Sequence, residues 1–172
     1  MLVFRKAELG DMPDIMRAVR EAQAFMASLG IDQWQDGYPE RATLERDIEI
    51  GQLYVFADDA TGAIAAFAAL SLLPEAIYDA IEGRWLCNGP YLTIHRMAID
   101  DAHRGSGLAA RIVEAAADIA RKSGCASVRA DTHAGNVAMR RFLEKHGFRY
   151  TGIVVYPVRG GDPIRVAYER IL

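Results

Sequence analysis

The stretch Tyr91-Leu-Thr-Ile-His-Arg-Met-Ala-Ile99, followed by Asp100-Asp-Ala-His-Arg-Gly-Ser-Gly-Leu-Ala109 and a long Ala-rich run, decides how the chain is read. Its pattern is strand, glycine turn, helix N-terminus. The first turn of a helix carries N–H groups without intrahelical partners, and the summed peptide dipoles place partial positive charge there, so an anion is the natural occupant. Gly105 and Gly107 let the backbone approach a diphosphate with no Cβ in the way, and Arg104 adds a permanent cation at the mouth.

Working outward, Leu2 to Glu8 alternates as a strand, and Asp11 with Asp14 reads as a capping pair opening a helix to about Leu29. The apolar face of that helix is Ile15, Ala18, Val19, Ala22, Met26 and Leu29, and Gly30 stops it. Arg41 to about Gly51 reads as a shorter helix. Leu53 to Asp58 and Ala63 to Leu70 flank a polar turn and predict a hairpin, followed by an irregular stretch from Pro74 to Pro90. Beyond it come strand Tyr91 to Ile99, helix Gly107 to Lys122, strand Ser127 to Thr132 and helix Asn136 to His146. The Gly107 helix is expected to bury Leu108, Ile112, Ala115, Ala116 and Ile119. Phe148 to Tyr156 and Pro163 to Tyr168, joined through Gly160-Gly-Asp162, predict a closing hairpin.

A chain of 172 residues, 51% hydrophobic and 25% charged, fits one globular domain over residues 1–172. A net charge of −3 with no basic face argues against nucleic acid. Two cysteines without a CxxC spacing suggest neither a disulfide framework nor a metal site. The N-terminus lacks the apolar core of a signal peptide, and Ala63 to Leu73 falls short of the ~20 residues that span a bilayer, so the expected setting is the cytoplasm, with no membrane partner.

Residues 105 to 110 also fit the dinucleotide fingerprint G-x-G-x-x-A, with Asp131 ~20 residues on as its acidic ribose ligand. In that motif, however, the glycines follow the strand at once, whereas Asp100 to Arg104 intervene here, and a hairpin takes the place of further parallel strands. A P-loop would need Gly-Lys-Ser or Gly-Lys-Thr, which the chain lacks. Arg104-x-x-Gly107-x-Ala109 instead resembles the acyl-CoA pyrophosphate motif R/Q-x-x-G-x-G/A of the GNAT superfamily of N-acetyltransferases. Asn136-Val-Ala-Met-Arg-Arg-Phe-Leu-Glu-Lys-His-Gly-Phe148 is similar to that family's second motif, in which an Asn opens the helix and Lys-x-Gly-Phe closes it.

The resemblance implies an α/β (α+β) fold: a mixed, mostly antiparallel twisted sheet of about seven strands, helices on both faces, splayed between the fourth and fifth strands. It implies acetyl-CoA as co-substrate, with no metal. The main chain of Met97, Ala98 and Ile99 would hold the pantetheine arm, and Arg104, Gly105, Ser106, Gly107, Leu108 and Ala109 the pyrophosphate. Asn136 would fix its helix beside the pantetheine. The implied activity is direct acetyl transfer to a primary amine, small molecule or peptide, in a ternary complex; the rival is an acyl-CoA-binding sensor without catalysis. The family's usual thiolate-protonating tyrosine falls at Leu143, so either the thiolate leaves unprotonated or Tyr156, Tyr91 or a water supplies the proton.

A transferred acetyl group needs an N–H donor for the oxyanion, read as Ala98 or Ile99, and a proton acceptor. Strand alternation puts His95 on the same face as Met97 unless a bulge intervenes, making it a candidate base as well as a candidate structural histidine. His133 reads as a loop cap. Trp34 and Tyr38 read either as pocket walls or as loop anchors. Asp36, Glu75, Asp79 and Glu82 read as an acidic acceptor side or as solvated surface. Exposed hairpin edges suggest a homodimer.

Overall fold

In the computed structural model, which describes residues 1–157 and 161–172, strand β1 (Leu2–Lys6) leads through a short 3-10 turn into α1 (Met12–Ser28) and α2 (Arg41–Glu49). The hairpin β2 (Leu53–Asp58) and β3 (Ile64–Ser71) follows, then a single helical turn α3 (Ala76–Asp79) and a two-residue strand β4 (Glu82–Gly83). The remainder is β5 (Tyr91–Ile99), α4 (Leu108–Lys122), β6 (Ser127–Thr132), α5 (Val137–Lys145), β7 (Arg149–Val155) and β8 (Ile164–Ile171). Among the described residues the strands form one sheet in the order β1-β2-β3-β5-β6-β8-β7-β4. Every pairing is antiparallel except β5 with β6. Of the expected closing turn, Gly160 lies outside the described residues.

The sheet has eight strands where about seven were expected, because Glu82 and Gly83 pair with Ile153 and Gly152 at its edge. The approach is close: a Cβ on Gly83 would stand 2.2 Å from the Thr151 carbonyl oxygen, and one on Gly152 2.3 Å from that of Glu82. Two facing glycines are what let this segment join the sheet.

Helices cover both faces. One layer packs Leu92, Ile94, Val128, Ala130 and Val166 under Leu108, Ile112, Val113, Ala116, Ala117 and Ala120 of α4. The other packs Phe67, Ala69 and Ala98 under Met12, Ile15, Ala18 and Val19 of α1 and Leu44 of α2. Strand β3 is buried at all eight positions because both layers meet on it, and its alanines let helices approach from either side. The α4 stripe departs from expectation: Ala115 and Ile119 are only half-buried, while Val113, Ala117 and Ala120 are buried. Leu29 is exposed. Asp11 and Asp14 do not cap α1. Asp11 takes the Arg5 guanidinium at 2.8 Å and the Glu8 N–H at 2.8 Å, while Asp14 accepts from the Ile64 N–H at 3.0 Å and pairs with Arg17.

A third cluster, Tyr78, Val154 and Ala167, adjoins a buried ion pair. Glu169 is fully buried and accepts from Arg129 Nε at 2.9 Å and the Ser127 hydroxyl at 2.6 Å, and also from the Leu86 N–H. The Arg129 guanidinium lies 4.0 Å from the Trp85 ring centroid and 3.9 Å from that of Tyr91, and donates to the Cys87 carbonyl. The pair thereby fastens the 85–91 segment to the sheet. Removing one partner leaves a buried charge uncompensated, so Arg129→Met should lower stability by about 3–5 kcal/mol in urea unfolding, with Arg129→Met/Glu169→Leu recovering part of the loss.

Candidate active site

At the head of α4, the Arg104 N–H turns back on the Asp101 carbonyl and the Ser106 N–H on that of His103. The N–H groups of Gly105, Gly107, Leu108 and Ala109 have no partner among the described residues. Gly105 and Gly107 hold φ of +75° and +84°, left-handed backbone that aims these groups, and no atom lies within 4 Å of where a Cβ would stand on either. The set of partnerless N–H groups is thus narrower than the whole 104–109 run. Arg104 is drawn aside as well: its guanidinium pairs with Asp101 at 2.6 Å and lies 4.3 Å from the Phe25 ring centroid.

The cradle opens onto a gap in the sheet. Strands β5 and β6 pair only over Tyr91–Thr93 and Ser127–Arg129, then part, which is the expected splay between the fourth and fifth long strands. Among the described residues, β5 has only β3 as a neighbour from Ile94 onward. The Asp100 N–H bonds the Ala65 carbonyl on the β3 side. Alternation therefore turns the Ala98 peptide groups toward β3 and those of Ile99 toward the gap.

A bulge sits in the middle of this strand. Ala98 faces Phe67 while His95 faces Ala69, so β5 spends one residue more than β3 over the same span, and Arg96 takes φ +49°. The consequence corrects the simple alternation: Met97 joins Ile94 on the α4 face, and His95 lies on the opposite one. Arg96 is held by Asp47 of α2 through two bonds, Nε to Oδ2 at 2.7 Å and Nη2 to Oδ1 at 2.9 Å, and donates to the Tyr38 hydroxyl at 2.8 Å.

His95 is met by Glu75, whose Oε1 lies 2.7 Å from Nε2. Burial pushes the Glu75 carboxyl upward, but the bond and charge of His95 outweigh it and leave its pKa below the ordinary value. The Glu75 N–H in turn donates to the Tyr91 hydroxyl at 2.9 Å. With Nε2–H given to the carboxylate, a neutral His95 keeps its lone pair on Nδ1. Beside it on β6, Asp131 Oδ2 accepts from both the Tyr78 hydroxyl, at 2.7 Å, and the Tyr156 hydroxyl, at 2.8 Å. Burial, and after it the Asp131 charge, raises both phenols far above the ordinary range, so they stay neutral donors.

The remaining candidates divide. Asn136 caps α5, its side-chain oxygen accepting from the Met139 N–H at 3.1 Å. Leu143 is buried in the α4-side core. His133 caps its loop, accepting the Gly135 N–H at 2.9 Å. Trp34 packs against the α1-side core and, edge-on at 6.4 Å between centroids, against Tyr38. Asp79 and Glu82 are exposed, whereas Glu75, Asp47 and Asp131 are drawn into the site. Among the described residues no His, Cys, Asp or Glu group could hold a metal, and no helix is long and apolar enough to cross a membrane.

Residues 16–148 match the family described as Acetyltransferase (GNAT) family. A GNAT-family acetyltransferase from Streptococcus agalactiae 2603 is 37% identical over 99% of this chain and 95% of its own, with a TM-score of 0.85. One from Listeria monocytogenes 4b F2365 is 20% identical over 99% and 95%, with a TM-score of 0.76. A Bacillus anthracis protein described as a streptothricin acetyltransferase, in complex with acetyl coenzyme A, is 20% identical over 70% of this chain and 61% of its own, with a TM-score of 0.53. The last two carry the fold alone. Comparison with curated proteins returns no match.

The lowered Glu75 pKa has a signed consequence. A carboxyl depressed in the folded state adds stability that is fully present above its unfolded value, ~4.3, and is lost as pH falls through its folded value. The stability gap between the native chain and Glu75→Gln, followed by denaturant unfolding, should therefore be widest above pH ~5 and close on acidification.

Proposed function

The chain belongs to the GNAT acetyltransferase family, and from that premise we propose that it moves the acetyl group of acetyl-CoA to a primary amine by direct attack in a ternary complex. The observation that carries this reading is the set of partnerless N–H groups at Gly105, Gly107, Leu108 and Ala109, beside the open edge of β5. A diphosphate fits the first by charge, and the amide-bearing pantetheine arm fits the second as an added strand would.

The co-substrate supplies an activated thioester; the chain supplies position and a proton route. Main-chain groups of Met97 and Ile99 serve the pantetheine amides and the thioester oxygen, while Ala98 backs them from the β3 side. His95 Nδ1, its ring fixed by Glu75, takes a proton from the amine directly or through water. The amine nitrogen bonds the carbonyl carbon, the C–S bond breaks, and the electron pair leaves on sulfur. A phenol lifted by burial gives up its proton less readily than a thiol of pKa ~8.5, so the thiolate departs unprotonated. Tyr156 then serves the site by holding Asp131 rather than as an acid, which accounts for a family position filled by Leu143.

Leu143 also favours the rival reading, an acyl-CoA sensor without catalysis, and turnover separates the two. Isothermal titration should show acetyl-CoA binding to the native chain and its loss in Gly107→Glu, a variant whose fold is checked by circular dichroism; no binding by the native chain ends the proposal. In thiol-release assays across a panel of amines, His95→Gln should lower kcat by about 10²–10⁴-fold and flatten the acid limb of the pH profile. Absence of turnover with every amine, alongside intact acetyl-CoA binding, would favour the sensor.

A further inference from the structure

The acceptor side of the gap is charged unevenly. Asp47 is matched by Arg96 in a two-bond pair, and Glu75 by His95 whenever that ring carries a proton. Asp131 is matched by phenols alone: both tyrosine hydroxyls converge on Oδ2, and among the described residues no cation lies within ion-pair distance and Oδ1 has no partner. A carboxylate drawn partly out of water is stabilised by neutral donors only in part, and it gains most from a cation brought to its remaining oxygen.

That cation is not the reacting nitrogen. The attacking amine has to reach the thioester without its extra proton, and a carboxylate placed against it would hold the proton on. The proton route belongs to His95, whose partner Glu75 is on the other side of its ring. Asp131, on the neighbouring strand and on the same face of the sheet, stands ready for a second positive group of the same acceptor.

On the acetyl-transfer reading above, we infer that the acceptor is a small aliphatic diamine or polyamine: one nitrogen reacts beside His95 while another, still protonated, docks on Asp131 Oδ1, the oxygen that the Tyr78 and Tyr156 hydroxyls leave free. The first nitrogen forms the amide bond and sends its proton to His95; the second keeps its proton throughout, so one turnover yields a monoacetylated product. Acceptors bearing a carboxylate at the second position meet Asp131 as a like charge and are turned away.

The test compares acceptors of matched length on the native protein: α,ω-diamines of three to six carbons, butylamine, 4-aminobutanol and 4-aminobutanoate, with thiol release as readout. The best diamine should exceed butylamine in kcat/KM by about 10–100-fold, the scale of a charge-assisted contact, and 4-aminobutanoate should be poorest. Asp131→Asn keeps an oxygen for the two phenols and removes the charge, so the diamine-to-butylamine ratio should collapse toward one. A native ratio near one, or a ratio that survives in Asp131→Asn, overturns the acceptor inference and leaves acetyl transfer standing. If no amine releases thiol, titration of 1,4-diaminobutane and butylamine into the CoA-bound protein decides separately. Diamine binding that is lost in Asp131→Asn keeps the Asp131 site and sinks the transferase reading, whereas equal or absent binding sinks both.

Discussion

The bulge at Arg96 is the constraint on which the site depends. A non-glycine residue in left-handed backbone costs about 1–2 kcal/mol, and such a residue persists only where its surroundings over-determine it. Here the surroundings are Asp47, itself 3% exposed, which grips the guanidinium at two points. The same extra residue increases the local twist of β5, just where it leaves β6 and the gap opens. It also turns Met97 to one face and His95 to the other. Without it, strict alternation would put His95 on the same face as Met97 and leave Ile94 on the other.

One strand thus serves two purposes through two kinds of group. Toward the gap it offers main chain, which on the proposed function would take an extended amide-bearing arm whatever its side chains are; toward α1 and α2 it offers side chains, His95 and Arg96. The side-chain half needs a rigid backing, and a continuous series of contacts provides one. Glu169 fixes Arg129, Arg129 is sandwiched by Trp85 and Tyr91, the Tyr91 hydroxyl receives the Glu75 N–H, and Glu75 orients His95. A buried ion pair is in this way tied, through Tyr91 and Glu75, to the angle of one imidazole ring. Its net worth to folding is modest, because desolvation offsets most of the attraction, but its worth to geometry is direct.

How much of this was legible in the sequence follows the range of the interactions. The left-handed turn at the head of α4 and the Asn136 cap of α5 were readable because their causes are local, acting within a few residues of themselves. Strands β5 and β6 have the limits expected for them, since each is bounded by turn residues and carries its own pattern. The bulge was not readable, because Arg96 is held by Asp47 across 49 residues of chain, and nothing in Tyr91 to Ile99 marks the extra residue. The same holds for Glu75 and Asp131. Among many carboxylates only a partner far along the chain distinguishes one that works from one that is merely solvated. The edge strand at Glu82 and Gly83 was missed for a related reason, since Gly83 gains its meaning only opposite Gly152. Asp11 and Asp14 erred the other way: a sound local signal for a cap yielded to the Arg5 guanidinium and to the Ile64 N–H 50 residues on, partners that the local pattern does not show.

On the proposed function, this division implies that the two halves of the site tolerate change to different degrees. A diphosphate bound by N–H groups constrains backbone shape, so the residues that matter are those permitting left-handed φ, and few substitutions satisfy that demand. An acceptor bound by carboxylates and phenols would constrain side chains on three separate elements: the 75–78 turn, β6 and the end of β7. Each of these can vary without disturbing the cradle. Leu143 shows the freedom on the chemical side as well. On the proposed mechanism the leaving thiolate needs no proton, which leaves Leu143 to pack in the core and the two phenols to hold Asp131.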